Sequence, residues 1–230
     1  MTLALCATAS AEVITPEFRR SEFSSRQEVT NPYFPLAPGT VLLYEGHKEG
    51  QVSSDRFEVT HERKRILGVS TTVVHDQFFL NGKLHESTID WYAEDKQGNV
   101  WYFGEQTEEL TSGGEVENTE GSWQAGARVE KHGPKAQPGI FMPGKPEVGV
   151  GFRQEIAPEV SEDEFEVLNL NASVSTPYVT TNRALQTKEF TPLEPEALDN
   201  KYFALGIGTV IETTVVGPED HLELVSVTRP

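Results

Sequence analysis

The stretch HDQFFLNGKLHESTIDWYAEDKQGNVWYFGE, residues 75–105, decides the fold. Asn81-Gly82 separates two runs that alternate apolar and polar side chains, and Asn and Gly both tolerate the positive φ that a two-residue type I′ turn requires. A second turn is predicted at EDKQGN, residues 94–99, and a third at SGG, residues 112–114. Alternating runs joined by successive short turns give an antiparallel meander.

The flanks repeat this texture. Upstream, YFPLAPGTVLLYEGH (33–47) sets Pro35, Pro38 and Gly39 ahead of an apolar strand from Thr40 to Tyr44, and RFEVTHE (56–62) follows as a further strand. Downstream, strands are predicted at FRQEI, FEVLNL, ALQTKEF, NKYFAL, GTVIETTVV and HLELVSV. Between the two halves, residues 124–150 form a Gly/Pro-rich loop with short strand fragments, packed through Ile140, Phe141 and Met142 and suited to act as a lid or rim. EPEALDN (194–200) offers one helical turn at most, and no segment keeps a 3.6-residue apolar period. The chain therefore reads as all-β, a single antiparallel meander over residues 31–230 forming a large curved sheet or partly open barrel.

The N-terminal residues have another character. MTLALCATASAEV is a short apolar run ending in Ala9-Ser10-Ala11, the small-x-small pattern of a signal-peptidase site, so residues 1–11 read as a truncated export signal. Cys6 in LALC offers the alternative of a lipidated cysteine, against which the bulky Leu5 counts. Residues 12–30 mix charge and Ser without a period and are expected to be a flexible leader. Export to a periplasmic or extracellular compartment follows.

Bulk properties exclude several classes. Nineteen Lys and Arg against 36 Asp and Glu give a formal charge of −17, which repels nucleic-acid backbones and anionic lipids. Cys6 is the single cysteine, so neither an internal disulfide nor a thiolate zinc site is available. No apolar stretch approaches a membrane span. Oligomeric state leaves no signature in the sequence.

YFPLAPGTVLLYEG near the start, STPYVTTNRALQTKEF in the second half and NKYFALGIGTVIET near the end together resemble the paired turn-and-strand signatures of a broad set of uncharacterised secreted bacterial β proteins. The chain departs from that pattern at Leu205, where Pro is common, and at Leu42-Leu43, where Trp is common. The resemblance implies a curved antiparallel sheet akin to the half-barrels of periplasmic lipoprotein carriers, and it implies no activity.

A candidate site follows from register. Counting straight out from Asn81-Gly82, Leu80 pairs Lys83, Phe78 pairs His85, Gln77 pairs Glu86 and His75 pairs Thr88. Strand alternation then gathers His75, Gln77, Glu86, Asp90 and Tyr92 on one face. Setting Ala93 opposite Val100 adds Trp101, Phe103 and Glu105, and leaves Val74, Phe78, Ile89, Trp91 and Tyr102 on the packed face. A one-residue slip would exchange the faces.

Glu86, Asp90, Glu105 and His75 are thus the candidate catalytic residues, because neighbouring carboxyls split their pKa values into an acid and a base and His can serve as a base or ligand. Tyr92, Trp101, Phe103 and Gln77 are the candidate ligand-binding residues. The same alternation also suits a merely solvated sheet face. Weaker candidates are a calcium-loop reading of Asp95 and Asn99 around Gly98, which a plain turn also explains, and the phosphate-loop-like GIGT at 206–209, better read as a hairpin. His61, His132 and His221 lack metal-ligand spacing, and no metal or cofactor is assigned. The expected function is an exported protein holding a small or amphiphilic molecule on a concave acidic and aromatic face; the alternative is a cofactor-independent hydrolase or lyase using the carboxylate and His cluster.

Overall fold

The computed structural model describes residues 13–25, 28–129 and 131–230. The export-signal segment 1–11 with Cys6 lies outside the described residues. The strands, in chain order, are β1 (Val13–Ile14), β2 (Val41–Lys48), β3 (Gln51–Ile66), β4 (Val69–Leu80), β5 (Lys83–Glu94), β6 (Val100–Leu110), β7 (Val116–Asn118) and β8 (Trp123–Gln124) in the first half. The second half contributes β9 (Gln137–Met142), β10 (Gly151–Arg153), β11 (Glu155–Ile156), β12 (Glu164–Ser175), β13 (Thr180–Phe190), β14 (Leu198–Ala204), β15 (Gly208–Val216) and β16 (Asp220–Thr228). A three-residue 3-10 turn, Arg20–Glu22, is the one helical element among the described residues.

Two meanders, β2 to β6 and β12 to β16, are joined where the last strand β16 pairs with β2. The result is one large, mostly antiparallel sheet that is not closed into a barrel. It curls strongly: Phe141 on β9 and Phe203 on β14, far apart in the strand order, bring their rings within 6.4 Å. At one end the chain itself spans the opening, because β10 pairs β12 and, two residues later, β11 pairs β9.

The predicted hairpin forms. Asn81 and Gly82 have φ of 50° and 75°, the left-handed pair of a type I′ turn. Two further turns of the same kind, at Glu49-Gly50 and Leu67-Gly68, set the β2–β3 and β3–β4 hairpins. Neither was predicted from the sequence, since Glu49 and Leu67, at φ 49° and 48°, are not turn residues by type.

Two bulges then reset the faces. Between Phe79, opposite Leu84, and Phe78, opposite Glu86, His85 is an unpaired extra residue, so β4 and β5 step past each other by one. Between Asp90, opposite Glu105, and Tyr92, opposite Tyr102, the additional residue lies on β6 at Gly104. Its φ of 118° and the 2.3 Å that would separate an added Cβ from the Trp123 carbonyl both demand glycine.

The core has apolar layers on both sides of β6. Trp101 and Phe103 pack on the outer side against Phe18 and Phe23, with ring centroids 5.7–6.1 Å apart for Phe18. For the described residues of the segment 12–30 this differs from the flexible-leader reading: Phe23 is buried, and Val13–Ile14 adds a parallel strand to β10. Aromatic side chains at 18 and 23 have an apolar sheet face to cover, which outweighs the polar composition around them.

The segment 124–150 is likewise more regular than a loop, since β9 lies along β6 with Ile140 and Met142 buried. EDKQGN is a turn. Asp95 accepts from the backbone N–H of Gln97 and Asn99 at 2.8 and 3.0 Å, and from Asn99 Nδ2 and Trp101 Nε1 at 2.8 Å each. Those four donors occupy the oxygens that a calcium ion would need.

Candidate functional site

The bulge at His85 determines what faces the interior. With Phe78 opposite Glu86 and Asp76 opposite Thr88, the inner face of β4 carries Val74, Asp76 and Phe78. His75 and Gln77 stand on the outer face, opposite Ile89 and Ser87. The candidate His is therefore separated from the carboxylates by the sheet.

On β6 the predicted pairing of Ala93 with Val100 is off by one: Ala93 pairs with Trp101 and Glu94 with Val100, and the bulge at Gly104 then returns Glu105 to the inner face. Tyr102 turns inward and stacks on Tyr92, 4.7 Å between centroids and 16° between planes, while Trp101 and Phe103 go to the outer core. Of the predicted residues, Glu86, Asp90, Glu105 and Tyr92 are brought together inside. His75, Gln77, Trp101 and Phe103 are not.

The structure adds residues from strands remote in sequence. Asp55 comes from β3, Glu155 from β11, Glu189 from β13, Lys201 from β14 and Glu212 from β15. A chamber of about 120 Å³ lies among Phe34, Tyr44, Phe57, Tyr92 and Phe141 on its aromatic side and Asp55, Asp76, Lys201 and Glu212 on its polar side. Lys201 and Glu212 also line a wider vestibule of about 570 Å³, together with Lys48, Glu86, Asp163, Glu189, Glu194 and Asp199. The two spaces thus share one polar wall.

Electrostatics in this interior are set by burial. Asp55, opposite Phe78, and Asp76, opposite Phe57, are diagonal neighbours on the inner face of β3 and β4, where a proton held on the pair relieves the repulsion between two buried carboxylates. Loss of hydration pushes both up, Asp55 well above the usual carboxylate range and Asp76 to about 6, and the charges of Glu212 and, for Asp76, Glu86 add to it. Among the described residues no N–H or O–H donor reaches Asp55 Oδ1, which is closed off from solvent.

Asp90 is also driven up by burial and by Asp76, although Tyr102 Oη donates to it over 2.5 Å. Glu105 is raised by burial and then by Glu155 and Asp90. Glu86 moves the same way more modestly, through burial and Glu109, with Lys48 opposing.

Glu155 rises to about 8 through burial and Asp163, its carboxylate accepting from the Ser161 hydroxyl. Glu189 rises to about 7 through burial, partly offset by Lys201 and the Thr187 hydroxyl, and it accepts from Gln154 Nε2 at 2.9 Å. Burial works against the Lys201 ammonium, but Glu212 at 3.5 Å, Glu189, Asp163 and Asp199 outweigh it and hold that ammonium charged. Among the described residues, no group of three or more His, Cys, Asp and Glu is spaced to hold a metal ion.

The arrangement can therefore do two things: accept a positively charged or hydrogen-bond-donating group among carboxylates and rings, or offer a protonated carboxyl beside an ionised one. Asp76 and Lys201 could have been suspected from sequence. Each is a charged residue inside an aromatic strand, HDQFF and NKYFAL, where a buried polar group needs a partner.

No protein-family model matches the chain, and no curated protein matches its sequence. Two solved structures are similar to it. One is a "putative exported protein with YmcC-like fold" from Bacteroides fragilis, with 12% identity, a TM-score of 0.44, and 86% of this chain and 99% of that one covered. The other is a "putative lipoprotein" from Parabacteroides distasonis, with 10% identity, a TM-score of 0.42 and the same coverage.

Proposed function

We propose that this chain is an exported binding protein that holds a small molecule inside the curled sheet, with the apolar part of the ligand in the aromatic chamber and its polar part toward the acidic vestibule. One observation carries this reading: the chamber brings five aromatic rings and three carboxyl groups from both meanders around one space. Sites for small molecules combine an apolar lining with a few convergent polar groups in this way. Export is supported by Ala9-Ser10-Ala11.

A thermal-shift titration with small amphiphiles that share one apolar body and differ in head group, amine, alcohol or carboxylate, tests the reading. Stabilisation of the native chain, lost in Phe57→Trp because the larger ring fills the chamber, supports it. Equal stabilisation in that variant, or none by any compound, contradicts it.

Acid–base catalysis is a second reading, favoured by the proton shared between Asp55 and Asp76 beside an open chamber. It proceeds without His75, which faces outward. Turnover of chromogenic glycosides or esters that disappears in Asp76→Asn would favour it over binding alone.

A further inference from the structure

We propose that the chamber takes up a small organic ammonium ion in exchange for the proton held between Asp55 and Asp76. This rests on the binding reading and specifies its ligand class. The exchange balances in charge: one ammonium enters, one proton leaves to solvent, and no covalent bond of the ligand changes.

Two features of the geometry converge on a cation. Asp55 Oδ1 is a buried acceptor without a donor, on a side chain that lines the chamber. A buried acceptor of this kind costs stability until a donor arrives. The rings of Phe34, Phe57, Tyr92 and Phe141 line the aromatic side of the chamber, with Phe34 to Phe141 4.5 Å and Phe34 to Tyr92 5.3 Å between centroids. Aromatic rings beside carboxylates form the environment that attracts alkylated and aryl ammonium ions.

The chain's own ammonium does not fill this role. Lys201 lines the chamber and draws Asp76 down in part. Its ion-pair partner is Glu212, however, and its other counter-charges, Glu189, Asp163 and Asp199, line the vestibule, so Asp55 Oδ1 is left without a donor from it. A chamber of about 120 Å³ is also close to the roughly 150 Å³ that encloses one benzene ring, so the ligand is limited to that scale unless it extends outward.

The charged and titratable groups facing the carboxyl pair come from every surrounding strand. They are Tyr44 on β2, Glu86, Asp90 and Tyr92 on β5, Lys201 on β14 and Glu212 on β15. Acidic groups outnumber basic ones, so an empty chamber retains a proton, and an entering cation takes over its neutralising role.

Isothermal titration with benzylammonium at about pH 7, in phosphate and in Tris, reads the exchange directly, because the two buffers differ in ionisation enthalpy. The native chain should release roughly one proton for each ligand bound. Asp55→Asn keeps the shape and offers an amide N–H donor to Asp76, which then ionises by about pH 7, so the pair has no proton to lose. It should bind more weakly, with release close to zero; circular dichroism confirms its fold, and Asp76→Asn replaces it if it does not fold. Binding by the native chain without proton release, or equal release in the variant, overturns the exchange and leaves the binding site standing. Failure of benzylammonium and of the wider amphiphile series to bind overturns both.

Discussion

Tyr102 donates its hydroxyl hydrogen to Asp90 over 2.5 Å, inside the sheet where both side chains are buried. The phenol is held protonated by burial and by the neighbouring carboxyls Asp90 and Glu105, so it remains the donor. Tyr102→Phe leaves the Asp90 carboxyl with one fewer partner in a space that water does not reach. A loss of roughly 1–3 kcal/mol is expected. Urea denaturation should register it, and the loss should shrink in an Asp90→Asn background, where the buried group carries no charge.

Gly82→Val addresses the hairpin. Nothing lies within 4 Å of a Cβ added there, so the cost comes from backbone conformation alone, at a φ of 75° that a β-branched residue resists. A destabilisation of roughly 1–3 kcal/mol is expected. An unchanged melting temperature would show that the turn does not constrain the β4–β5 register.

Lys201→Met removes the cation from a wall of carboxylates. The Lys201 and Glu212 side chains are 23% and 39% exposed, so solvent screens the partner charge and the loss falls below the roughly 3–5 kcal/mol of a fully buried pair. At about pH 8, the variant should melt well below the native chain. Toward pH 5 the gap should narrow as Glu189, with its pKa near 7, takes up a proton. A gap that is independent of pH would assign the loss to packing rather than to charge.

The native chain should also lose stability as pH rises. Asp76, Glu189 and Glu155 have folded-state values of about 6, 7 and 8, above the range near 4 that carboxyls have in an unfolded chain. Between those limits the folded state binds more protons than the unfolded state, so unfolding free energy falls with each step upward. Their contribution is greatest below about pH 4 and is lost by about pH 8. Melting curves across that window should therefore show a higher midpoint at pH 5 than at pH 8, unlike a protein whose carboxylates are stabilised by salt bridges.

Local signals carried the fold and half of the interior. Asn81-Gly82, EDKQGN and the alternating runs specify hairpins within a few residues of themselves, and Glu86, Asp90, Glu105 and Tyr92 share a face because alternation along a strand depends only on the backbone. What alternation cannot supply is the pairing register across a bulge. His85 has no turn chemistry to mark it as an extra residue, yet it moved Asp76 inward and His75 outward. Past the EDKQGN turn, Ala93 pairs with Trp101 rather than Val100, which turned Tyr102 inward and Trp101 and Phe103 outward, and the extra residue Gly104 brought Glu105 back inside. Lys201 and Glu212 reach the chamber through the β16–β2 pairing, which joins opposite ends of the chain and leaves no local trace.

The most direct test of a ligand chamber is a crystal structure of the native chain grown with benzylammonium. The account predicts density for the ring between Phe57, Tyr92 and Phe141, with the ammonium nitrogen within hydrogen-bond distance of Asp55 or Asp76. An empty chamber, with the additive found only on the outer surface, would contradict it.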